Sequence, residues 1–109
     1  MNLNRNPSTQ EERLLEFLVR RSLTPIPEKW SDGLLVYPMD DGGMGGLYLF
    51  PGGERKAGRT FGEQASEYQF TDSDGVEVIA SLNLDKDGEL FELDIWKTDF
   101  RKISKWPDL

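Results

Sequence analysis

The chain has no cysteine and no histidine. The first absence excludes disulfides and thiolate metal sites and suits a reducing compartment. The second removes the usual general base, the Ser-His and Cys-His dyads, and imidazole ligands for zinc or iron. Long apolar runs are missing too, none approaching the ~20 residues a membrane-spanning helix needs. The N-terminal MNLNRNPSTQEER has no apolar core of the secretory-signal kind. The expectation is a cytoplasmic protein with no membrane attachment.

Basic residues are few and unevenly placed. Thirteen Lys and Arg stand against 20 Asp and Glu, for a net charge of −7. Residues 1–30 are net +1, residues 31–100 net −10, and residues 101–109 net +2. Nucleic-acid binding rests on a basic footprint, so the acidic middle argues against DNA or RNA as a partner. It favours a cationic protein, because opposite potentials speed encounter and select partners. Acidity also keeps a small protein soluble, which is the plainer explanation.

What is present is enough for one domain. A chain of 109 residues buries somewhat over ~60% of its unfolded surface, sufficient for a core without staples. The stretch NPSTQEERLLEFLVRRSL predicts a helix over about 8–22, capped by Ser8 or Thr9 with Glu11 or Glu12 completing a capping box. Leu14, Leu15 and Leu18 mark its apolar face. Prolines 25 and 27 then end it.

Strands follow, expected at about 33–39, 46–50, 65–71, 76–84 and 89–98, with residues 101–109 as a basic, irregular tail. Turn sequences and alternation predict an α+β fold, the N-terminal helix packed on a mainly antiparallel sheet of about five strands, arranged as a meander over a single domain 1–109. Val76, Val78, Ala80, Leu82 and Leu84 share one face with Phe91, Leu93 and Ile95. The opposite face holds Glu67, Glu77, Glu92 and Asp94, with Ile79, Leu90 and Trp96 among them. Acids around an aromatic anchor suit a protein interface. The competing arrangement has the tail covering Trp96, with Lys97, Arg101 and Lys102 pairing to local acids.

Three motifs could carry chemistry. The loop Asp40-Asp41-Gly42-Gly43-Met44-Gly45-Gly46 resembles a phosphate cradle only in its glycines. No lysine and hydroxyl follow, and a strand rather than a helix comes next. A wide hairpin loop with Met44 at its tip is the simpler reading. The turns Asp72-Ser73-Asp74-Gly75 and Asp85-Lys86-Asp87-Gly88 alternate oxygen ligands as calcium loops do, so Asp72, Asp74, Asp85 and Asp87 form an alternative metal set. Asp and Gly are also what tight hairpins demand, and no metal is the main expectation. Carboxylate pairs at Asp40-Asp41 or at Glu92 with Asp94 could do acid–base work, but exposed acids on strands are ordinarily solvated. No enzymatic activity and no cofactor are expected.

The segments PMDDGGMGGL and DKDGELFELDIWKTDF resemble the two signature stretches of a family of small bacterial proteins with no assigned activity. That family shares an Asp-Gly-Gly-Met-Gly stretch and a closing Glu-Leu-Asp-Ile-Trp-Lys-x-Asp-Phe strand. The resemblance spans most of residues 10–100 and is strongest at 38–47 and 82–100. The strands are similar to those of immunity proteins, the cytoplasmic antidotes of contact-dependent and polymorphic toxin systems. The chain departs at RKISKWPDL, where a short apolar finish is expected. The resemblance implies an immunity protein that blocks a cationic, nuclease-type toxin by steric and electrostatic means. Its expected contacts are Asp40, Asp41, Met44, Tyr48, Glu67, Glu77, Glu92, Asp94 and Trp96.

Overall fold

A computed structural model describes residues 4–109. The first three residues, which open the expected domain and the stretch read for targeting, lie outside the described ones.

Helix α1 spans Thr9–Arg21. Its start is fixed by the capping box, with Ser8 as the cap. The Ser8 hydroxyl accepts the Glu11 amide at 3.1 Å, and the Glu11 carboxylate accepts the Ser8 amide at 2.8 Å. The Arg5 guanidinium grips the same carboxylate through Nη1 at 2.7 Å and Nη2 at 2.9 Å. Burial pushes the Glu11 carboxyl up, but Arg5 and Ser8 outweigh it and hold the group below the ordinary range. Leu14, Leu15 and Leu18 are fully buried.

Five strands follow: β1 (Leu35–Pro38), β2 (Leu47–Phe50), β3 (Phe61–Thr71), β4 (Glu77–Asp85) and β5 (Leu90–Lys97). All pair antiparallel, in the order β1-β2-β5-β4-β3. The α+β architecture expected from the sequence is therefore present. Two details differ. β3 starts four residues before the expected position 65, because Phe61 to Gln64 pair with Asp85 to Asn83 through register shifts that hide the alternation. A chain-order meander would also set β2 beside β3, whereas β2 pairs with β5 through Leu47↔Leu93 and Tyr48↔Glu92. Tight turns build β3-β4-β5 and leave the outer edge of β5 open. The 51–60 connection lets the β1-β2 hairpin close that edge, as an unpaired ladder invites.

One face of the sheet carries the core: Val36, Leu47, Leu49, Val78, Ala80, Leu82, Leu84, Leu93 and Ile95 are all buried. Leu90 is buried with them, contrary to simple alternation. The register shift between Asn83 and Leu84 sets Leu84 opposite Leu90 and leaves Phe91 as the extra residue. Helix α1 covers β3 and β4 on this face.

The tail covers the remainder. Ile103 and Trp106 pack against the core, and Trp106 shares a depression with Gln10 and Arg13 of α1. The Ile103 amide donates to the Gly43 carbonyl at 3.4 Å. The tail thus lies beside the helix, on the apolar face. It does not cover Trp96, which remains 40% exposed on the other face.

Candidate functional site

The uncovered sheet face is built by register. One row runs Tyr37, Tyr48, Glu92, Asn83 and Gln64 from β1 to β3. The next runs Asp94, Ser81 and Glu67, and the third Trp96, Ile79 and Gln69. Neighbours within a row are about 5 Å apart and alternate residues along a strand about 7 Å. Carboxylates thus stud a surface whose exposed large apolar groups are Tyr48 and Trp96, the former 42% exposed, with Tyr37 and Ile79 half-buried beside them. Lys97 is the only basic residue in the five strands, and it points to the opposite face. The open face therefore has no strand cation to neutralise it.

The carboxylates on it are not equivalent. Partial burial pushes the Asp94 carboxyl up, and the charge of Asp41 adds to this. Asp94 is thus a strand carboxylate whose ionised form lacks a compensating partner, against the expectation that exposed strand acids are simply solvated. Glu77 differs: Gln69 and Thr71 each donate to it at 2.9 Å, and these bonds hold it below the ordinary range. Glu67 is exposed and Glu92 half-buried.

The glycine loop is folded back on itself. Asp41 is half-buried, and its two oxygens accept the Met44 amide at 3.1 Å and the Gly46 amide at 2.9 Å. It caps the loop, with both carboxylate oxygens engaged by backbone amides. Asp40 is exposed, while Met44 is half-buried and is no free tip. Gly42, Gly43 and Gly45 take positive φ of 73°, 83° and 102°. Gly46 has a different constraint: a Cβ there would lie 2.8 Å from Asp41 Oδ2, 2.9 Å from Met39 Sδ and 3.3 Å from the Leu93 carbonyl. Gly46→Ala is expected to destabilise the chain by about 1–2 kcal/mol, the ordinary cost of overpacking. Urea melts would show it, and an unchanged midpoint would mean the loop yields freely.

The two Asp-x-Asp-Gly turns lie at opposite ends of β4, before Glu77 and after Leu84. The four aspartates of the calcium alternative therefore fall into two separate pairs, Asp72 with Asp74 and Asp85 with Asp87. Among the described residues there is no group of three or more acids placed to hold an ion. Each turn instead holds a cation of the chain's own. Lys97 Nζ donates to Asp72 at 2.9 Å and to Asp74 at 2.6 Å. Asp72 also accepts the amides of Ser104 at 2.8 Å and Lys105 at 2.9 Å, which anchors the tail. Burial pushes the Asp72 carboxyl up, but Lys97 and these amides together bring it well below the usual carboxylate range. At the other end, Arg59 Nε donates to Asp85 at 3.0 Å, Nη1 to the Leu49 carbonyl at 2.8 Å, and Nη2 to the Leu90 carbonyl.

The geometry thus separates the expected contact residues. Tyr48, Glu67, Glu77, Glu92, Asp94 and Trp96 share one face. Asp40, Asp41 and Met44 sit in the loop beside β5, with Asp41 near enough to Asp94 to repel it electrostatically. Tyr37 joins the face through the Tyr37↔Tyr48 register, and Phe100 stands beside Trp96 with ring centroids 6.1 Å apart. Sequence reasoning named neither. The β1 alternation Val36-Tyr37 carried the first signal. The second had none beyond its place in the Asp-Phe end of the signature segment.

No helix among the described residues is long and apolar enough to cross a membrane. No curated protein and no solved structure matches the chain. A family described as a domain of unknown function, DUF6984, matches residues 4–107. Covering nearly the whole sequence, that match makes the chain a member of the DUF6984 family.

Proposed function

We propose that the open sheet face is a docking surface for a cationic protein, and that the chain is a cytoplasmic immunity protein that neutralises a nuclease-type toxin by occupying its basic active site. The observation that carries this reading is the face itself: Glu67, Glu92 and Asp94 around exposed Tyr48 and Trp96, with no strand cation among them. Charged rows of this kind steer encounter, and aromatic anchors supply most of the bound-state energy. The action is steric and electrostatic, not catalytic, and uses no cofactor.

The immediate test is the gene upstream, which on this reading encodes a large secreted protein with a variable C-terminal toxin domain. That domain, purified, is expected to be inhibited at one-to-one stoichiometry. Glu92→Lys with Asp94→Lys should slow association at low salt by about 10–100-fold while affecting dissociation less. An unaltered association rate would remove this face from the proposal.

Asp94→Asn provides a second check. A carboxyl whose folded value is raised destabilises the fold when ionised, and this effect fades as pH falls through that value. The neutral variant should therefore melt slightly higher at pH 7, bind the toxin more weakly, and lose its thermal advantage in acid. A variant less stable than the parent at pH 7 would show that Asp94 serves the fold.

A further inference from the structure

Four aromatic rings elsewhere in the chain are covered by its own guanidinium groups. Arg21 lies 5.2 Å from the Phe17 ring and 5.7 Å from that of Tyr68. Arg55 sits 5.3 Å from Phe50, and Arg59 5.1 Å from Phe91. Trp96 and Phe100 pack on each other instead. They form a tilted pair, 6.1 Å apart at 52°, exposed to 40% and 70%. The cations closest in sequence are engaged with carboxylates: Lys97 with Asp72 and Asp74, Arg101 with Asp99 and Asp74.

Phe100 has a second peculiarity. Its φ is +64°, which makes it the one non-glycine residue with positive φ among the described residues. A side chain there is strained, and glycine or asparagine would ordinarily take the position. The backbone is held from both sides. The Phe100 amide donates to the Lys97 carbonyl at 2.8 Å, and the Thr98 amide to the Glu77 carbonyl at 3.0 Å. Asp99 accepts the Arg101 amide at 3.1 Å and its Nε at 2.6 Å. So exposed a ring recovers little of that strain through internal packing. Strain held in place by surrounding bonds is a feature of ligand clamps.

We infer that Trp96 and Phe100 form an aromatic clamp for an arginine side chain of the protein partner, with Asp94 as its carboxylate. This rests on the docking face proposed above and names the group it receives. The two rings pack against each other and leave their outward faces open, on which a planar guanidinium stacks as an ammonium does not. Asp94 precedes Trp96 on the same face by about 7 Å along the strand, where the guanidinium fork can reach it. The rings supply contact area and the carboxylate supplies direction.

The test uses the full chain, isotope-labelled for NMR, with tetra-arginine as the probe and tetra-lysine and tetra-citrulline as comparisons. Tetra-arginine should shift the Trp96 indole N–H and the amides of 94–100 in a saturable way. Tetra-lysine should bind more weakly, and tetra-citrulline should leave these signals in place. Phe100→Gly should weaken tetra-arginine binding about tenfold, the loss of one cation–π contact with its burial. Its melting temperature should rise, since glycine accepts the positive φ. That opposition of stability and binding is not expected of a structural residue. Shifts spread evenly over all acidic residues, or an affinity unchanged in Phe100→Gly, would overturn the clamp. The immunity reading fails separately: a toxin left active while tetra-arginine still seats on 94–100 removes the toxin and keeps the clamp. A neutralised toxin indifferent to Phe100→Gly and Trp96→Ala does the reverse.

Discussion

Lys97→Met is expected to lower the melting temperature by about 5–10 °C at pH 7. The lysine is 1% exposed, and the Asp72 side chain it meets is fully enclosed. Methionine keeps the apolar stem and removes the charge, so Asp72 is left enclosed without its cation. The cover is the tail, a single chain thick, so the penalty should be below that of a pair at the centre of a core. The pH dependence follows from the two groups. Asp72 is depressed on folding, so its contribution is full above the ordinary carboxyl value of ~3.9 and is lost as pH falls through the folded one. Lys97 is raised, first by Asp74 and then by Asp72, so its contribution is full below ~10.4 and is lost as pH rises through its folded value. Parent and variant should therefore differ most between about pH 4 and 10, with the gap narrowing in acid. Adding Asp72→Asn to Lys97→Met should recover part of the loss, because the isolated charge is gone. Melts of the three variants at pH 3 and 7 decide it. A constant gap at both values would rule out the ion pair as the cause.

Arg59→Met is expected to cost about 2–4 kcal/mol, since it strips partners from a carboxylate and two carbonyls at once. Arg59 joins Asp85 in the second turn to Leu49 of β2 and Leu90 of β5. It thus ties the hairpin β1-β2 to the three-stranded unit at the seam where pairing is shortest, two residues on each side. Against a total stability of about 5–15 kcal/mol that is a large share. Arg59→Lys should rescue little, because an ammonium cannot reach three acceptors in a plane. Urea unfolding with an unchanged slope would measure it. A loss under about 0.5 kcal/mol would place Arg59 among ordinary surface residues.

Local features of the fold were legible. Ser8-x-x-Glu11 announced the helix, and the two Asp-x-Asp-Gly turns announced β3-β4-β5. The order of the strands was not, because the β2–β5 pairing joins residues more than forty positions apart and rests on a connection without periodicity. The site divided in the same way. Alternation placed Glu67, Glu77, Glu92, Asp94 and Trp96 on one face. The same alternation, Leu93-Ile95-Lys97, put Lys97 on the apolar face, but a lysine at a strand end is ordinarily solvated and the signal passed unused. Leu90 was misassigned by a single bulge residue. The acids of the turns looked like ligands in search of an ion, because their cations come from sequence positions 25 and 26 residues away.

The tail that closes the apolar face has a bearing on synthesis. Residues 101–109 are made after every residue they cover, and β5, the strand that joins the two hairpin units, is made just before them. An emerging chain holding α1 through β4 has Leu47 without Leu93, and Asp72 without Lys97, Ser104 or Lys105. Joining of the two hairpin units and pairing of the buried Asp72 thus both wait on the same strand, β5.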